Sequence, residues 1–310
     1  MNSRERRRTL SKKAFLFPGQ GAQKIGMGQS FCEADADARA VFDEASELLG
    51  YDMKALCFSE NEKLNLTQYT QPAMVTTGIA ILKVVEKQGL LPDTAAGLSL
   101  GEYEALYAAG ALSEMDAIRV VARRGELMEA AVPAGIGAMA AVLGAEAALI
   151  EETLAGIPEV WIANYNCPGQ IVISGRKEAV EAAAEALKAK GVKRVLMLNV
   201  SGPFHSGLLK EAGEELGKVL TETEIHPLRI PYYANVTGDQ VDDANHVRQL
   251  LTEQVYSSVR FEQSIRNMLA AGVDTFYELG PGKTLAGFVK KIDRAATVVN
   301  IETMEDLSKI

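Results

Sequence analysis

Gly97-Leu98-Ser99-Leu100-Gly101-Glu102-Tyr103 is the segment from which the fold is read. It carries the G-x-S-x-G pattern, in which a serine is lifted out of a sharp turn between a strand and a helix. The two glycines permit a turn too tight for a Cβ. Upstream, Leu91-Pro-Asp-Thr-Ala-Ala-Gly97 is a run of small residues suited to a tightly packed strand. Downstream, residues 100–109 are good helix formers ending at Gly110, a plausible stop. Ser99 then sits at a helix N-terminus, where free backbone N–H groups can stabilise an oxyanion. A serine so placed is a candidate for a covalent acyl intermediate.

Outward from this elbow the pattern is that of an α/β protein. Residues 14–17 form a short apolar strand that runs into the glycine-rich Pro18-Gly-Gln-Gly-Ala-Gln23. Helical periodicity follows at about 34–49, 72–88 and 114–131. Residues 137–200 change character: a strand at 137–143, a helix at 145–154, strands at 160–164 and 170–174, an Ala- and Glu-rich helix at 177–190 and a strand at 194–198. This β-α-β-β-α-β order is that of a ferredoxin-like unit. Strands at 230–234 and 275–279, a helical region at about 245–271 and a last helix after Gly280-Pro-Gly complete the chain. The expected fold is a large α/β-hydrolase-like domain with a parallel sheet core (14–134 and 201–295), interrupted by a small ferredoxin-like subdomain (135–200). Residues 1–13 are expected to be a disordered basic tail.

Composition narrows the function. The chain has 310 residues, 47% of them hydrophobic and 24% charged, as in a soluble globular protein with a sizeable core. No apolar run approaches the roughly 18–20 residues of a membrane span. The net charge is −9 although Arg4, Arg6, Arg7, Arg8, Lys12 and Lys13 crowd the start, so the remainder is more acidic still. That argues against nucleic acid as a partner. The basic leader lacks the apolar stretch of a secretory signal. Cys32, Cys57 and Cys167 have no metal-ligand spacing and predict reduced thiols in a cytoplasmic protein. No metal site is expected. Gly282-Lys-Thr284 resembles the end of a P-loop, but the pattern requires glycine where Tyr277 stands, so the segment is read as a strand-to-helix turn.

A serine nucleophile needs a base, and the chain has three histidines. His246 lies in a polar stretch and His226 precedes a proline ahead of a strand. His205, in Ser201-Gly-Pro-Phe-His-Ser206, lies on a loop leaving the last strand of the inserted unit and is the preferred candidate.

Six segments occur in one order: Phe17-Pro-Gly-Gln-Gly-Ala-Gln23, the elbow, Arg124-Gly-Glu-Leu-Met128, Pro203-Phe-His205, Asn235-Val-Thr237 and Glu278-Leu-Gly-Pro281. Together they resemble the malonyl-CoA:acyl carrier protein transacylases of type II fatty-acid synthesis, over about residues 14–295. The resemblance implies that Ser99 attacks the thioester of malonyl-CoA, with His205 as general base and acid. It implies an oxyanion hole from the backbone N–H groups of Leu100 and Gln20, and pairing of Arg124 with the malonyl carboxylate. Arg119 and Arg123 lie on the same predicted helix, and Arg124 is the one at the family position. The histidine would be oriented through the region of Gln254, a neutral partner where a triad has a carboxylate.

The same resemblance implies acyl carrier protein as partner, its phosphopantetheine thiol as acceptor, and no bound cofactor. For docking, it leaves two basic clusters open: Lys188, Lys190, Lys193 and Arg194, or Lys283, Lys290 and Lys291. The sequence departs from the family in having Leu98, where histidine is frequent, before the nucleophile. Phe204 resembles the malonyl-selective form, its ring disfavouring a branched acyl group, and reads equally as ordinary core. The rival readings are a serine hydrolase or thioesterase of the α/β-hydrolase type, a nucleotide-binding protein, a non-catalytic carrier-binding protein, and an acyltransferase of a polyketide pathway.

Overall fold

The structure is a computed structural model that describes residues 11–133, 135–199 and 202–310. Arg4, Arg6, Arg7 and Arg8 of the expected tail lie outside the described residues. The chain opens with β1 (Lys12–Phe17), α1 (Gln29–Ala34), α2 (Ala36–Leu49), α3 (Met53–Phe58), α4 (Thr67–Lys87), β2 (Thr94–Gly97), α5 (Gly101–Ala108) and α6 (Glu114–Ala131). A second group follows: β3 (Gly137–Leu143), α7 (Ala147–Leu154), β4 (Val160–Cys167), β5 (Gln170–Arg176), α8 (Lys177–Ala189) and β6 (Arg194–Met197). The third group is α9 (Lys210–Glu222), β7 (Tyr232–Tyr233), β8 (Gln240–Val241), α10 (Val247–Gln254), α11 (Phe261–Ala270), β9 (Val273–Leu279), α12 (Thr284–Ile292) and β10 (Thr297–Ile301).

The first and third groups share one sheet, in the order β10-β9-β1-β2-β7-β8. Its pairings are parallel except for β7 with β8. This is why residues 14–17 of β1 are apolar without alternation. Phe15 and Phe17 enter the core on one face while Ala14 and Leu16 enter the core on the other, and all four are fully buried. The second group forms its own antiparallel sheet, in the order β4-β5-β3-β6. It encloses a separate core of residues such as Val142, Ile150, Ile173 and Leu187.

Several elements depart from the sequence-based expectation. Lys12 and Lys13 belong to β1, because their backbones pair with β9. Helix α4 begins at Thr67, five residues before Pro72. Proline ends a helical prediction because it removes a backbone donor, yet Thr67, Thr70 and Gln71 are fully buried and tertiary packing holds the extra turn. The helical region at 245–271 is two helices. Between them Val259 donates to Ala163 O and accepts from Tyr165 N, which straps the segment to β4. The sheet also continues past residue 295, since β10 pairs in parallel with β9.

The turn after β2 is built by close approach of backbones. A Cβ on Gly97 would lie 1.8 Å from the carbonyl carbon of Gly101, and one on Gly101 would lie 2.1 Å from Phe17 O. Backbone atoms cannot rotate aside as a side chain can. Gly97→Ala is therefore expected to cost about 3 kcal/mol of folding stability. Chemical unfolding of the purified variant measures this; a loss below about 1 kcal/mol would show that the turn has slack.

Candidate active site

The C-terminal ends of β1 and β2 lie side by side, where open parallel sheets carry their sites. The loop after β1 supplies Gly19, Gln20 and Gly21, and the turn after β2 supplies Leu98 and Ser99. Helix α6 supplies Arg124 and Met128, and β4 and β5 of the second sheet supply Asn164, Asn166 and Val172. With Phe204 and His205, these residues line a cavity of about 670 Å³ between the two sheets. A pocket of this size suits a small ligand.

Ser99 has φ 54° and His205 has φ 57°, a left-handed conformation that residues other than glycine rarely adopt. Such strain persists only where the surroundings hold it. Asn235 does this for the elbow. Its side-chain oxygen accepts from Ser99 N at 2.6 Å, and its amide nitrogen donates to Gly97 O at 2.7 Å. The result brings Ser99 Oγ to 2.6 Å from His205 Nε2. His205 Nδ1 lies 2.8 Å from the main-chain carbonyl of Gln254. A carbonyl only accepts, so the proton is assigned to Nδ1, and Nε2 is left bare to accept from the serine hydroxyl. Burial, together with the nearby Arg124 guanidinium, pushes the His205 pKa down to about 4. The imidazole is thus neutral well below pH 6.

Gln254 thus meets the histidine through its backbone carbonyl and not through its amide. The side chain is turned elsewhere. Its Nε2 donates to Ser99 O at 2.8 Å and to Glu102 Oε2 at 2.6 Å, while its Oε1 accepts from Arg124 Nη2 at 3.0 Å. Arg124 is buried beneath the cavity, with Nη2 3.3 Å from Ser99 Oγ and its guanidinium carbon 5.6 Å from the centre of the Tyr103 ring. Its Nε has no hydrogen-bond partner. A guanidinium that lines the cavity, reaches the serine oxygen through Nη2 and has not used all its donors can take a further acceptor, and a carboxylate matches its planar fork. Arg119 and Arg123 instead pair with Asp116 and Glu126 on the exposed side of α6.

The Gln20 side chain donates to Thr67 Oγ1 at 3.2 Å. Leu100 follows Ser99 at the start of α5. The backbone N–H groups of Gln20 and Leu100 donate to no acceptor among the described residues. Phe204 is largely buried and packs into the main core with one face on the cavity. Leu98 gives the cavity an apolar wall. His226 and His246 stand at the surface beside Glu224 and Asp243. Among the described residues no group of His, Cys, Asp and Glu is placed to hold a metal ion, and no helix is long and apolar enough to cross a membrane.

Sequence reasoning gave no role to Glu102, Asn235, Asn164 or Asn166. Asn235 and Glu102 stood inside quoted motifs. An acid in the first turn of a helix is what the helix dipole favours at a surface, so nothing marked Glu102 as buried.

The acyl transferase domain model matches residues 14–305. The malonyl CoA-acyl carrier protein transacylase of Bacillus subtilis is 48% identical over 303 residues, covering 96% of each chain. The solved acyl carrier protein S-malonyltransferase of Vibrio cholerae superposes with a TM-score of 0.93 at 42% identity, over 96% of this chain and 99% of that one. A solved type II PKS acyl-carrier protein in complex with its malonyl-transacylase matches with a TM-score of 0.93 at 38% identity, over 96% and 98%.

Proposed function

The chain belongs to the acyl transferase domain family, and from that premise we propose that it moves a malonyl group from malonyl-CoA to the phosphopantetheine thiol of acyl carrier protein for fatty-acid synthesis. One observation carries the reading. The Arg124 guanidinium lies 3.3 Å from the same Ser99 oxygen that faces His205 Nε2 at 2.6 Å. A malonyl thioester has its carboxylate one methylene from the carbonyl under attack, so nucleophile and cation must be neighbours.

In the proposed reaction the Ser99 hydroxyl gives its proton to His205 Nε2 as its oxygen bonds to the thioester carbonyl carbon. The resulting oxyanion is held by the N–H groups of Leu100 and Gln20. Collapse breaks the C–S bond, and the proton on Nε2 leaves with the thiol of coenzyme A. The thiol of the carrier then enters, passes its proton to Nε2 and attacks the malonyl-Ser99 ester, and Ser99 departs with that proton. No step requires a bound cofactor. The buried carbonyl of Gln254 fixes the imidazole tautomer without adding a negative charge beside Arg124. Phe204, on the cavity wall, is read as the group that limits branching at the malonyl methylene.

We read the second sheet and its two helices as a ferredoxin-like insertion, supported by the β-α-β-β-α-β order and antiparallel strand order. The larger unit is read as α/β-hydrolase-like, supported by the strand, serine and helix at β2 and α5. The three cysteines are buried free thiols, in keeping with a cytoplasmic setting.

Mixing the protein with malonyl-CoA alone, recording its intact mass and then adding acyl carrier protein tests the reading. A malonyl adduct that discharges onto the carrier is expected. Steady release of free malonate without discharge would instead make the protein a hydrolase.

A further inference from the structure

Glu102 has no part in the reaction described above, yet it is fully buried next to the site. Its Oε2 accepts from Gln254 Nε2 at 2.6 Å and from Asn235 N at 3.2 Å, and its Oε1 has no partner. Gln254 in turn accepts from Arg124 Nη2. One carboxamide thus stands between a buried carboxylate and a buried guanidinium, its donor end on the acid and its acceptor end on the base. Tyr103 on α5 and Tyr232 on β7 are the other titratable groups near Glu102, and burial raises the pKa of both phenols. His205 is neutral. Arg124 is therefore the cation that balances Glu102.

Charge counting then gives a consequence. Above pH 7, Glu102 and Arg124 give the unliganded protein one buried carboxylate and one buried guanidinium. A malonyl carboxylate seated on Arg124 makes two carboxylates for one cation, with Glu102 and Arg124 both buried. Burying an uncompensated charge costs several kcal/mol, and such a site takes up a proton instead. We propose that Glu102 is a positioning residue that shares Arg124 with the substrate through Gln254 and takes up a proton when the malonyl carboxylate binds. Burial has already raised the Glu102 pKa to about 7, against the pull of Gln254, Asn235 and Arg124, so the proton is accessible near neutrality. The protonated acid still accepts from Gln254, so the amide keeps its orientation and Arg124 its aim. The inference rests on the reading that Arg124 holds the substrate carboxylate.

Ser99→Ala protein, which cannot be acylated, is titrated calorimetrically with malonyl-CoA and with acetyl-CoA at pH 8, in buffers of different ionisation enthalpy. Uptake approaching one proton is expected with malonyl-CoA and none with acetyl-CoA. The uptake should vanish in Ser99→Ala/Glu102→Gln, which still binds malonyl-CoA. In otherwise native protein, kcat/KM for malonyl-CoA should fall by up to about tenfold per pH unit above pH 7, relative to acetyl-CoA, and Glu102→Gln should flatten that fall.

Uptake that persists in the Glu102→Gln protein would place the proton elsewhere, His205 first, and overturn the proposal. Equal uptake with both ligands, or none with malonyl-CoA, would do the same without any Glu102 variant. Arg124→Ala separates the two levels. If it binds malonyl-CoA as tightly as its parent, the carboxylate clamp itself is wrong. If it loses that binding while uptake survives Glu102→Gln, only the role of Glu102 falls.

Discussion

His205→Ala is expected to slow acylation of Ser99 by about a thousandfold, within the usual range for removing a general base. The distance of 2.6 Å from Nε2 to Ser99 Oγ leaves no room for water to act as base in the native site. The variant opens such room, and the remaining rate reports the oxyanion donors and substrate binding alone. The native pH profile is the sharper readout. In the proposed reaction the base is the neutral imidazole, whose pKa is pushed down to about 4. Acylation should therefore hold up as pH falls through 6 and 5, and be lost only as pH drops through about 4. Acetyl-CoA is the donor to use, because it brings no carboxylate of its own and does not engage Glu102. A limb centred near the ordinary histidine value of about 6.5 would show that the imidazole is not desolvated as the structure has it.

Where side chains announce their surroundings, the fold was legible in the sequence. The apolar runs at residues 14–17 and 137–143 and the period of the helix at 114–131 each reflect a face or faces that must be buried, and α6 and β3 have the expected limits. Helix α9 was missed. Its Gly213 and Gly217 weaken a helical reading, yet a Cβ on Gly213 would lie 2.6 Å from the Tyr256 ring, so the low-propensity residue is there for packing. The break at Val259 was missed because its cause, pairing with β4, lies almost a hundred residues away in the chain.

The site divides in the same way. Ser99, His205 and Arg124 are chemically distinctive side chains, and the structure brings them to one cavity. Gln254 meets His205 through a carbonyl that every residue possesses, so nothing in its side chain marks which group makes the contact. The P-loop-like Gly282-Lys-Thr284 shows the reverse case. The start of α12 is already taken, since Glu278 accepts from Leu285 N at 3.0 Å and Ala286 N at 2.8 Å. A carboxylate from within the fold occupies the place a phosphate would need.

Arg124→Ala should lower kcat/KM for malonyl-CoA by about a thousandfold, near 4 kcal/mol, because truncating one member of a buried charge pair costs about 2–5 kcal/mol. The effect should be selective. Acetyl-CoA presents nothing to the guanidinium, so its acylation rate is expected to stay within about threefold of native, and the malonyl preference should disappear. Arg124→Lys distinguishes charge from shape. An ammonium restores the positive charge but not the planar fork, so its three donors, all on one nitrogen, cannot meet Gln254 and the two carboxylate oxygens in the parallel in-plane geometry of a guanidinium. Lysine should therefore recover part of the loss and leave a deficit of about tenfold or more. Full recovery would mean that the site needs only a point charge, and the contact from Arg124 Nη2 to Gln254 Oε1 would then be incidental. Equal losses for malonyl-CoA and acetyl-CoA would mean that Arg124 supports the elbow and not the substrate. Its contact of 3.3 Å with Ser99 Oγ makes that a real alternative, and the two-donor comparison decides it.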